Sequence, residues 1–396
     1  MAWIDSLFKR MVEVGASDLH MTSTLQPMFR LHGDMVPVEG CPQISAKQMS
    51  QILMEITPPR NKEEFDLCCD TDFAYEIPGL ARFRVNLFAD SRGPGAVFRV
   101  IPEEILTAEQ LNLPKAVTDF CYLSKGLVLV TGPTGSGKST TLAGMIQHIN
   151  RNAERHVVTL EDPVELIFKE DRCVISQREV GTDTESFNEG LKHALRQSPD
   201  VILIGEARDA ETVIAALEAT ETGHMVLCTM HTVNAAQTIE RLLGFFPAER
   251  HVQIRQRMAD TLGGVLSQRL IQDTSGSLRP AYELMVPTPH VKELISEGKT
   301  TELARVIESG TERGLISFNQ CLLDLVQKGT VELDNALETS DRPDELLLAL
   351  RGISAGNDRG KEAQPRAATP PTPPAAGGPT LSKPKRPNDD FPKGLR

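Results

Sequence analysis

The chain has 396 residues, of which 40% are hydrophobic and 24% are charged, and its formal net charge is -12. This composition is that of an ordinary soluble protein, and the length leaves room for two or three domains. Residues 355–396 hold eight Lys or Arg and four Asp or Glu, so residues 1–354 carry a charge of -16. A body this acidic is a poor general binder of nucleic acid or anionic lipid.

Cysteine usage and hydropathy indicate the cellular compartment. The seven cysteines include no C-x-x-C pair, which predicts reduced, cytosolic thiols. The opening MAWIDSLFKR places acid and base where a signal peptide has its apolar core. No apolar run approaches 18 residues, so we expect no direct insertion into a membrane. We therefore expect a cytoplasmic protein that reaches any membrane only through partners.

Residues 1–112 are predicted to form a small mixed α/β module. An amphipathic helix covers residues 3–12 and ends near Gly15, and further helices are predicted at 45–57 and 61–67. Glycine and proline punctuate the predicted strands, which cover residues 18–22, 28–31, 71–77, 81–89 and 96–101.

Three arginines lie on neighbouring predicted strands of this module. Arg82 and Arg84 share one face because side chains alternate along a strand, and Arg99 lies on the next strand. A cluster of guanidinium groups suits phosphate recognition. The alternative, which the residues alone favour, is a solvated strand face or pairs with local acids.

The stretch LVLVTGPTGSGKSTT at residues 127–141 fits the phosphate-binding pattern G-x-x-x-x-G-K-[ST]. An apolar strand leads into glycines whose backbone can turn its N–H groups toward phosphate oxygens, and a helix N-terminus follows. Lys138 is expected to reach the β- and γ-phosphates of ATP, and the Ser139 hydroxyl is expected to ligate Mg²⁺. The candidate nucleotide-binding residues are Gly132, Pro133, Thr134, Gly135, Ser136, Gly137, Lys138, Ser139 and Thr140.

Residues 113–288 alternate strands and helices, which predicts a parallel sheet with helices on both faces and ligands at the carboxyl ends of its strands. Glu206 follows the strand at 201–204 and is the first candidate for the catalytic glutamate and for holding Mg²⁺, partly through water. Glu161 follows the strand at 156–160 and is the second candidate, polarising water or holding metal. Asp200 precedes its strand, which favours a structural role.

Histidines stand at both ends of the strand predicted at residues 224–230. His231, at the carboxyl end, would face the phosphates and is a candidate catalytic residue that senses the γ-phosphate. His224 begins the strand, and a lone histidine is more often structural. Neither histidine has the partners that a zinc site needs.

The C-terminal part predicts two kinds of segment. Residues 289–354 are predicted to form a helical extension, because apolar residues recur there at intervals of three and four. Nine of the 26 prolines lie between residues 365 and 392, so residues 355–396 are predicted to be a disordered tail.

Taken in order, these motifs resemble the secretion ATPases of the type II and type IV pilus superfamily. The boxes GPTGSGKST, TLEDPVE, DVILIGEARD and GHMVLCTMHT carry this resemblance. The stretches MVEVGASDLHM, ARFRVNLF and SQREVGTDTESF are similar to the PilT/PilU branch, the pilus-retraction ATPases that drive twitching motility. The resemblance covers residues 3–354.

The resemblance implies a PAS-like N-terminal domain, a RecA-like ATPase domain, a homohexameric ring and an inner-membrane pilus platform protein as partner. It implies that N-terminal arginines reach the nucleotide phosphates, and Arg82, Arg84 and Arg99 match those stretches. It also implies that Glu206 is the catalytic glutamate, with Glu161 and His231 in supporting roles.

The C-terminal sequence separates two readings within this branch. PilT carries an AIRNLIRE-type motif, and the aligned stretch VKELISEGK at residues 291–299 matches it poorly. Residues 313–320 and 337–351 look more like PilU, an accessory ATPase, which implies dependence on a second, PilT-like ATPase. A pilus-assembly or type II secretion ATPase is a further alternative, although those carry a tetracysteine insertion and longer N-terminal domains. A DNA or RNA translocase is disfavoured by the acidic body.

Overall fold

The computed structural model describes residues 3–31, 33–101, 105–310 and 314–351, and two β-sheets organise them. The predicted tail at residues 355–396 lies outside the described residues, as does Arg313 of the PilU-like stretch. None of the helices within the described ranges combines the length and apolarity needed to cross a bilayer.

The first sheet and its helices cover the N-terminal part of the chain. Their bounds are α1 Asp5–Glu13, β1 Asp18–Thr22, β2 Met28–Leu31, β3 Asp34–Pro37, α2 Ala46–Ile56, α3 Pro59–Cys68, β4 Asp70–Ile77, β5 Ala81–Asp90 and β6 Gly93–Ile101. The predicted helices and strands of this module are confirmed, and β3 is an additional edge strand.

The first sheet is antiparallel with strand order β3-β2-β1-β6-β5-β4. One face is buried because Phe83, Val85 and Leu87 alternate inward along β5. The ring of Phe8 from α1 stacks on Phe83 with 4.3 Å between centroids. The opposite face of β5 therefore carries Arg82 and Arg84 away from this core.

The second sheet and its helices follow. Their bounds are α4 Lys115–Phe120, β7 Gly126–Thr131, α5 Lys138–Asn152, β8 His156–Glu161, β9 Val174–Glu179, α6 Phe187–Ala194, β10 Val201–Ile204, α7 Ala210–Glu221, β11 Met225–Met230, α8 Ala235–Leu243, α9 His251–Thr261, β12 Leu262–Gln272, β13 Leu278–Met285, α10 Pro289–Glu297, α11 Thr300–Ser309, β14 Leu315–Ile316, α12 Phe318–Gln327, α13 Leu333–Thr339 and α14 Pro343–Leu350.

The second sheet has eight strands in the order β14-β13-β12-β7-β11-β10-β8-β9. The prediction of a parallel sheet holds from β12 to β9, with helices α5 to α9 connecting these strands. β13 and β14, which the sequence analysis did not predict as strands, extend this sheet and pair antiparallel. The reason is a tight turn between β12 and β13, where the Asp273 carboxylate accepts hydrogen bonds from the amides of Ser275 and Ser277.

The predicted helical extension is mostly helical, but it also supplies a strand. β14 completes the edge of the second sheet beside β13. Behind this edge, Ile271 and Ala281 of the sheet pack with Leu322, Val331 and Leu346 of the extension. The extension is thus joined to the second sheet by a shared core. The domain boundaries near residues 112 and 288 remain predictions.

Candidate nucleotide-binding site

The loop between β7 and α5 has the backbone of a phosphate cradle. Gly132, Gly135 and Gly137 have φ angles of 145°, 78° and 87°, which residues with a Cβ rarely adopt. A Cβ on Gly132 would also collide with the main-chain oxygen of Gln268 on β12. The glycines at these positions are therefore required by the fold of the loop.

Lys138 begins α5 and turns back across the loop. Its Nζ donates hydrogen bonds to the carbonyl oxygens of Gly132 and Pro133, at 2.9 Å each, and the residue is 8% exposed. Burial lowers the pKa of Lys138, and the negative charge of Glu206 opposes this shift. The Lys138 ammonium group therefore lies inside the curve of the loop, against the Gly132 and Pro133 carbonyl oxygens.

The rest of the loop is open to a ligand. Pro133, Thr134, Gly135, Ser139 and Thr140 are exposed. The Ser136 hydroxyl is buried and has no hydrogen-bond partner within the described residues. An unsatisfied hydroxyl beside a lysine and a helix N-terminus fits the phosphate oxygens of a nucleotide.

The predicted catalytic glutamate lies opposite this loop, at the carboxyl end of β10. Arg208 holds one carboxylate oxygen of Glu206 with Nη2 at 2.7 Å and Nε at 2.8 Å. The Nε2 atom of His231 lies 3.5 Å from the other oxygen. The structure therefore brings together Glu206 and His231 as the sequence predicted, and it adds Arg208.

Glu161 ends β8, next to β10 in the sheet. It accepts hydrogen bonds from the Thr159 hydroxyl at 2.6 Å and the Gln177 amide at 3.3 Å. Burial raises the pKa of Glu161, while these two hydrogen bonds and the positive charge of Arg82 oppose the rise. Gln177 lies on β9, a strand that the sequence analysis did not predict.

The three predicted arginines have different partners. Arg84 Nη1 lies 2.7 Å from a carboxylate oxygen of Glu165, in the acidic segment after β8. Arg82 Nη1 lies 3.2 Å from Glu76, and its Nε is buried without a partner among the described residues. Arg99 pairs with Asp18 at 2.8 Å within the first sheet.

Arg84 therefore lies against the acidic segment after β8, and the charge of Arg82 acts on Glu161 at the end of that strand. Arg99 is opposite Arg84 in the register of β5 and β6, so it shares the same face, and its side chain is 68% exposed.

Two other residues singled out in the sequence make hydrogen bonds at the opposite ends of their strands from the phosphate-binding loop. The His224 ring contacts the Ala219 carbonyl at 2.9 Å, at the end of β11 remote from the loop. Asp200 accepts a hydrogen bond from the His156 amide at 2.8 Å, which joins the starts of β8 and β10.

Within the described ranges, no group of three or more His, Cys, Asp or Glu side chains could hold a metal ion by itself. The exposed Ser139 hydroxyl at the start of α5 and the Glu206 carboxylate fit Mg²⁺ bound together with nucleotide oxygens, since this ion prefers oxygen ligands and keeps several waters.

Comparison with known proteins identifies the family. Residues 1–281 match the family described as type II/IV secretion system protein. The chain is 43% identical over 330 residues to the type IV pilus retraction ATPase PilT of Pseudomonas aeruginosa, covering 83% of this chain and 96% of that protein. The chain belongs to the PilT/PilU family of type IV pilus retraction ATPases.

A second relative and a solved structure support the same family assignment. The type IV pilus ATPase PilU of Pseudomonas aeruginosa is 37% identical over 348 residues, covering 88% of this chain and 91% of PilU. The crystal structure of the pilus retraction motor PilT with bound ADP superimposes with a TM-score of 0.79 at 37% identity, covering 87% of this chain and 98% of that chain. Identity is thus higher to PilT, whereas the aligned stretch is longer for PilU.

Membership of this family makes the chain an ATPase with an N-terminal domain and a P-loop ATPase domain, which confirms the fold class predicted from the sequence. Sequence analysis did not single out Arg208, Gln177 or Gln268 as parts of the site. Arg208 was visible in the box GEARD, two residues after Glu206, but only the structure shows that it pairs with the Glu206 carboxylate.

Proposed function

We propose that this chain is a Mg²⁺-dependent ATPase motor that powers type IV pilus retraction and twitching motility. The observation that carries the proposal is the complete set of catalytic groups on adjacent strand ends. The loop after β7 presents Lys138 and Ser139, and the ends of β10 and β11 present Glu206 and His231, 3.5 Å apart.

The proposed steps follow from what each side chain can do. Lys138 leaves the carbonyl oxygens of Gly132 and Pro133 for the β- and γ-phosphates, which accept its charge more strongly than neutral carbonyls do. Glu206 orients the attacking water, and His231 beside it senses the γ-phosphate. Bound Mg²⁺ supplies neutralisation of the charge that develops on the phosphate oxygens.

Glu161 and the arginines are proposed to support this chemistry. Two hydrogen bonds fix the Glu161 carboxylate, which suits it to hold water or metal in a set position. Arg82, Arg84 and Arg99 share one face of the N-terminal sheet, and we propose that domain closure brings them to the phosphates. Arg84 would then leave the Glu165 carboxylate and pair with a phosphate oxygen instead.

We propose that the chain works as a homohexamer in the cytoplasm, at the inner face of the inner membrane, where it acts on the pilus platform protein. The proposed domains are residues 1–112, 113–288 and 289–354. Closure around ATP and its release after hydrolysis would convert binding energy into rotation of domains.

A second candidate is an accessory role that depends on a PilT-like ATPase. The observation in its favour lies in α10, where the sequence VKELISE replaces the motif expected of PilT. The longer alignment with PilU agrees with this candidate.

The deciding experiment measures ATP hydrolysis by the full chain, by Glu206→Gln and by Glu249→Gln as a matched control. Glu249 is an exposed glutamate of the same domain. We expect a hexamer whose turnover falls about 100-fold or more in Glu206→Gln, with ATP binding retained and the control unchanged.

Two results would change the assignment. A wild-type hexamer that binds ATP but hardly hydrolyses it would favour the accessory role. Stimulation of hydrolysis by DNA or RNA would favour a translocase.

A further inference from the structure

The mechanism above leaves one buried carboxylate unused. Glu283 lies on β13 and is 7% exposed. Its Oε1 atom accepts a hydrogen bond of 2.7 Å from the amide of Ala235, the first residue of α8. No Lys or Arg forms an ion pair with Glu283 in the part of the chain that the structure describes. Burial of an acid without a cation lowers the stability of the folded state, so a carboxylate at this position is expected to serve a specific role.

The register of the second sheet places Glu283 in a polar row. Thr131 of β7 is opposite Ser267 of β12, and Ser267 is opposite Glu283 of β13. The hydroxyls of Thr131 and Ser267 are 2.8 Å apart, and both residues are fully buried. The row begins at the residue that immediately precedes the phosphate-binding loop and ends under the start of α8.

The segment above this end is the loop that carries His231. It runs for four residues, from the end of β11 to the start of α8 at Ala235. The Thr232 and Thr238 hydroxyls are 2.7 Å apart, and the Asn234 side chain accepts from the Gln237 amide. Those two contacts tie the loop to α8 itself. The hydrogen bond that the Ala235 amide donates to Glu283 ties the start of α8 to the sheet.

We propose that Glu283 is a positioning residue for His231, acting through the amide of Ala235 to hold the four-residue loop against the sheet. The inference rests on the proposed function, because it assigns Glu283 to the catalytic arrangement of His231 and Glu206. With one end of the loop fixed at β11 and the other at Ala235, the imidazole stays 3.5 Å from Glu206. Without the second anchor, α8 can shift away from β13, and a short loop transmits that shift to His231.

The role of Glu283 as a hydrogen-bond acceptor does not depend on its protonation state. Burial raises the pKa of Glu283 to about 7, the Ala235 amide and Arg269 oppose the rise, and the charges of Asp341 and Glu308 add to it. Arg269 is engaged elsewhere, with a guanidinium nitrogen 2.6 Å from Asp341. Either protonation state of the carboxyl group, and also an amide, retains an oxygen that can accept from Ala235.

The test uses the full chain, with Glu283→Met to remove the acceptor at similar volume and Glu283→Gln to keep it. Tyr282→Phe is the matched control, since Tyr282 is the preceding residue on β13 and its side chain lies on the other face of the sheet. The measurements are kcat and KM for Mg-ATP hydrolysis and the size of the oligomer. We expect Glu283→Met to lower kcat about tenfold or more with KM within about threefold, because a shift of about 1 Å in a catalytic group has effects of this size. Glu283→Gln and Tyr282→Phe are expected to keep kcat within about twofold of wild type, since neither removes the acceptor.

Each outcome decides between positioning and a merely structural role. A folded hexamer of Glu283→Met with wild-type kcat would overturn the proposal, as would an equal loss in Glu283→Gln. If Glu283→Met does not fold, Glu283→Asp replaces it, because a side chain one methylene shorter cannot reach Ala235. Failure of both to fold would show a role in folding alone. Absence of hydrolysis by the wild type would instead refute the proposed function, and this inference with it.

Discussion

The dependence of stability on pH provides a direct test of the environment of Glu283. The perturbation is Glu283→Gln, which removes the ionisable group and keeps the acceptor for the Ala235 amide. In the folded chain, burial raises the pKa of Glu283 from 4.5 to about 7. Between these two values the folded state holds a proton that the unfolded state has released, so the wild-type free energy of unfolding falls as pH rises.

The magnitude follows from the size of this shift. Each pKa unit corresponds to about 1.4 kcal/mol, so a rise from 4.5 to about 7 gives a cost of about 3 kcal/mol that is complete above pH 7. The variant has no such cost at any pH. Relative to wild type, Glu283→Gln should therefore gain about 2–3 kcal/mol in the free energy of unfolding between pH 5 and pH 8.

The assay is urea unfolding of the full chain at pH 5, 6, 7 and 8, at one protein concentration because oligomers are stabilised by mass action. Glu249→Gln makes the same chemical change at an exposed site and serves as the control. A difference between wild type and Glu283→Gln that stays constant within about 0.5 kcal/mol from pH 5 to pH 8 would refute the reasoning, since burial would then not disfavour the charged form.

The remaining predictions concern the phosphate loop and the arginine face. Gly132→Ala should abolish ATP binding and lower the free energy of unfolding by about 1–3 kcal/mol. The new Cβ would collide with the Gln268 carbonyl oxygen, and residue 132 has a φ of 145°, which alanine rarely adopts. Gly135→Ala, where a Cβ meets nothing within 4 Å, should cost only the backbone strain of about 1–2 kcal/mol and keep more of the binding. Binding of a fluorescent ATP analogue and thermal unfolding measure both, and equal losses in the two variants would contradict the steric argument. Arg84→Gln should lower kcat about tenfold or more while costing at most about 1 kcal/mol of stability, because the Arg84–Glu165 pair is partly exposed. Arg92→Gln, in the exposed turn of the same hairpin, is the control, and a kcat unchanged in both variants would show that Arg84 serves the domain contact alone.

The phosphate-binding loop could be predicted from the sequence because its chemistry is local. The spacing from Gly132 to Ser139 determines which amides turn inward, and the strand before it and the helix after it are set by their own apolar periodicity. Glu206 and His231 could be placed for a related reason. Parallel strands end at one edge of a sheet, so residues that follow them share that edge whatever the details of packing.

The tertiary structure decided everything that depends on contacts between distant segments. The antiparallel strands β13 and β14 were not predicted, because pairing across a mixed sheet leaves no periodic signal in a single strand. Arg84 and Glu165 are 81 positions apart, and Ala235 and Glu283 are 48 apart, so neither partner indicates the other in the sequence. Glu283 was not singled out in the sequence, and only the fold shows that it is buried and accepts a hydrogen bond from the amide at the start of α8. Local spacing therefore indicated the candidate groups for the chemistry, and packing of the sheet determined which distant groups contact them.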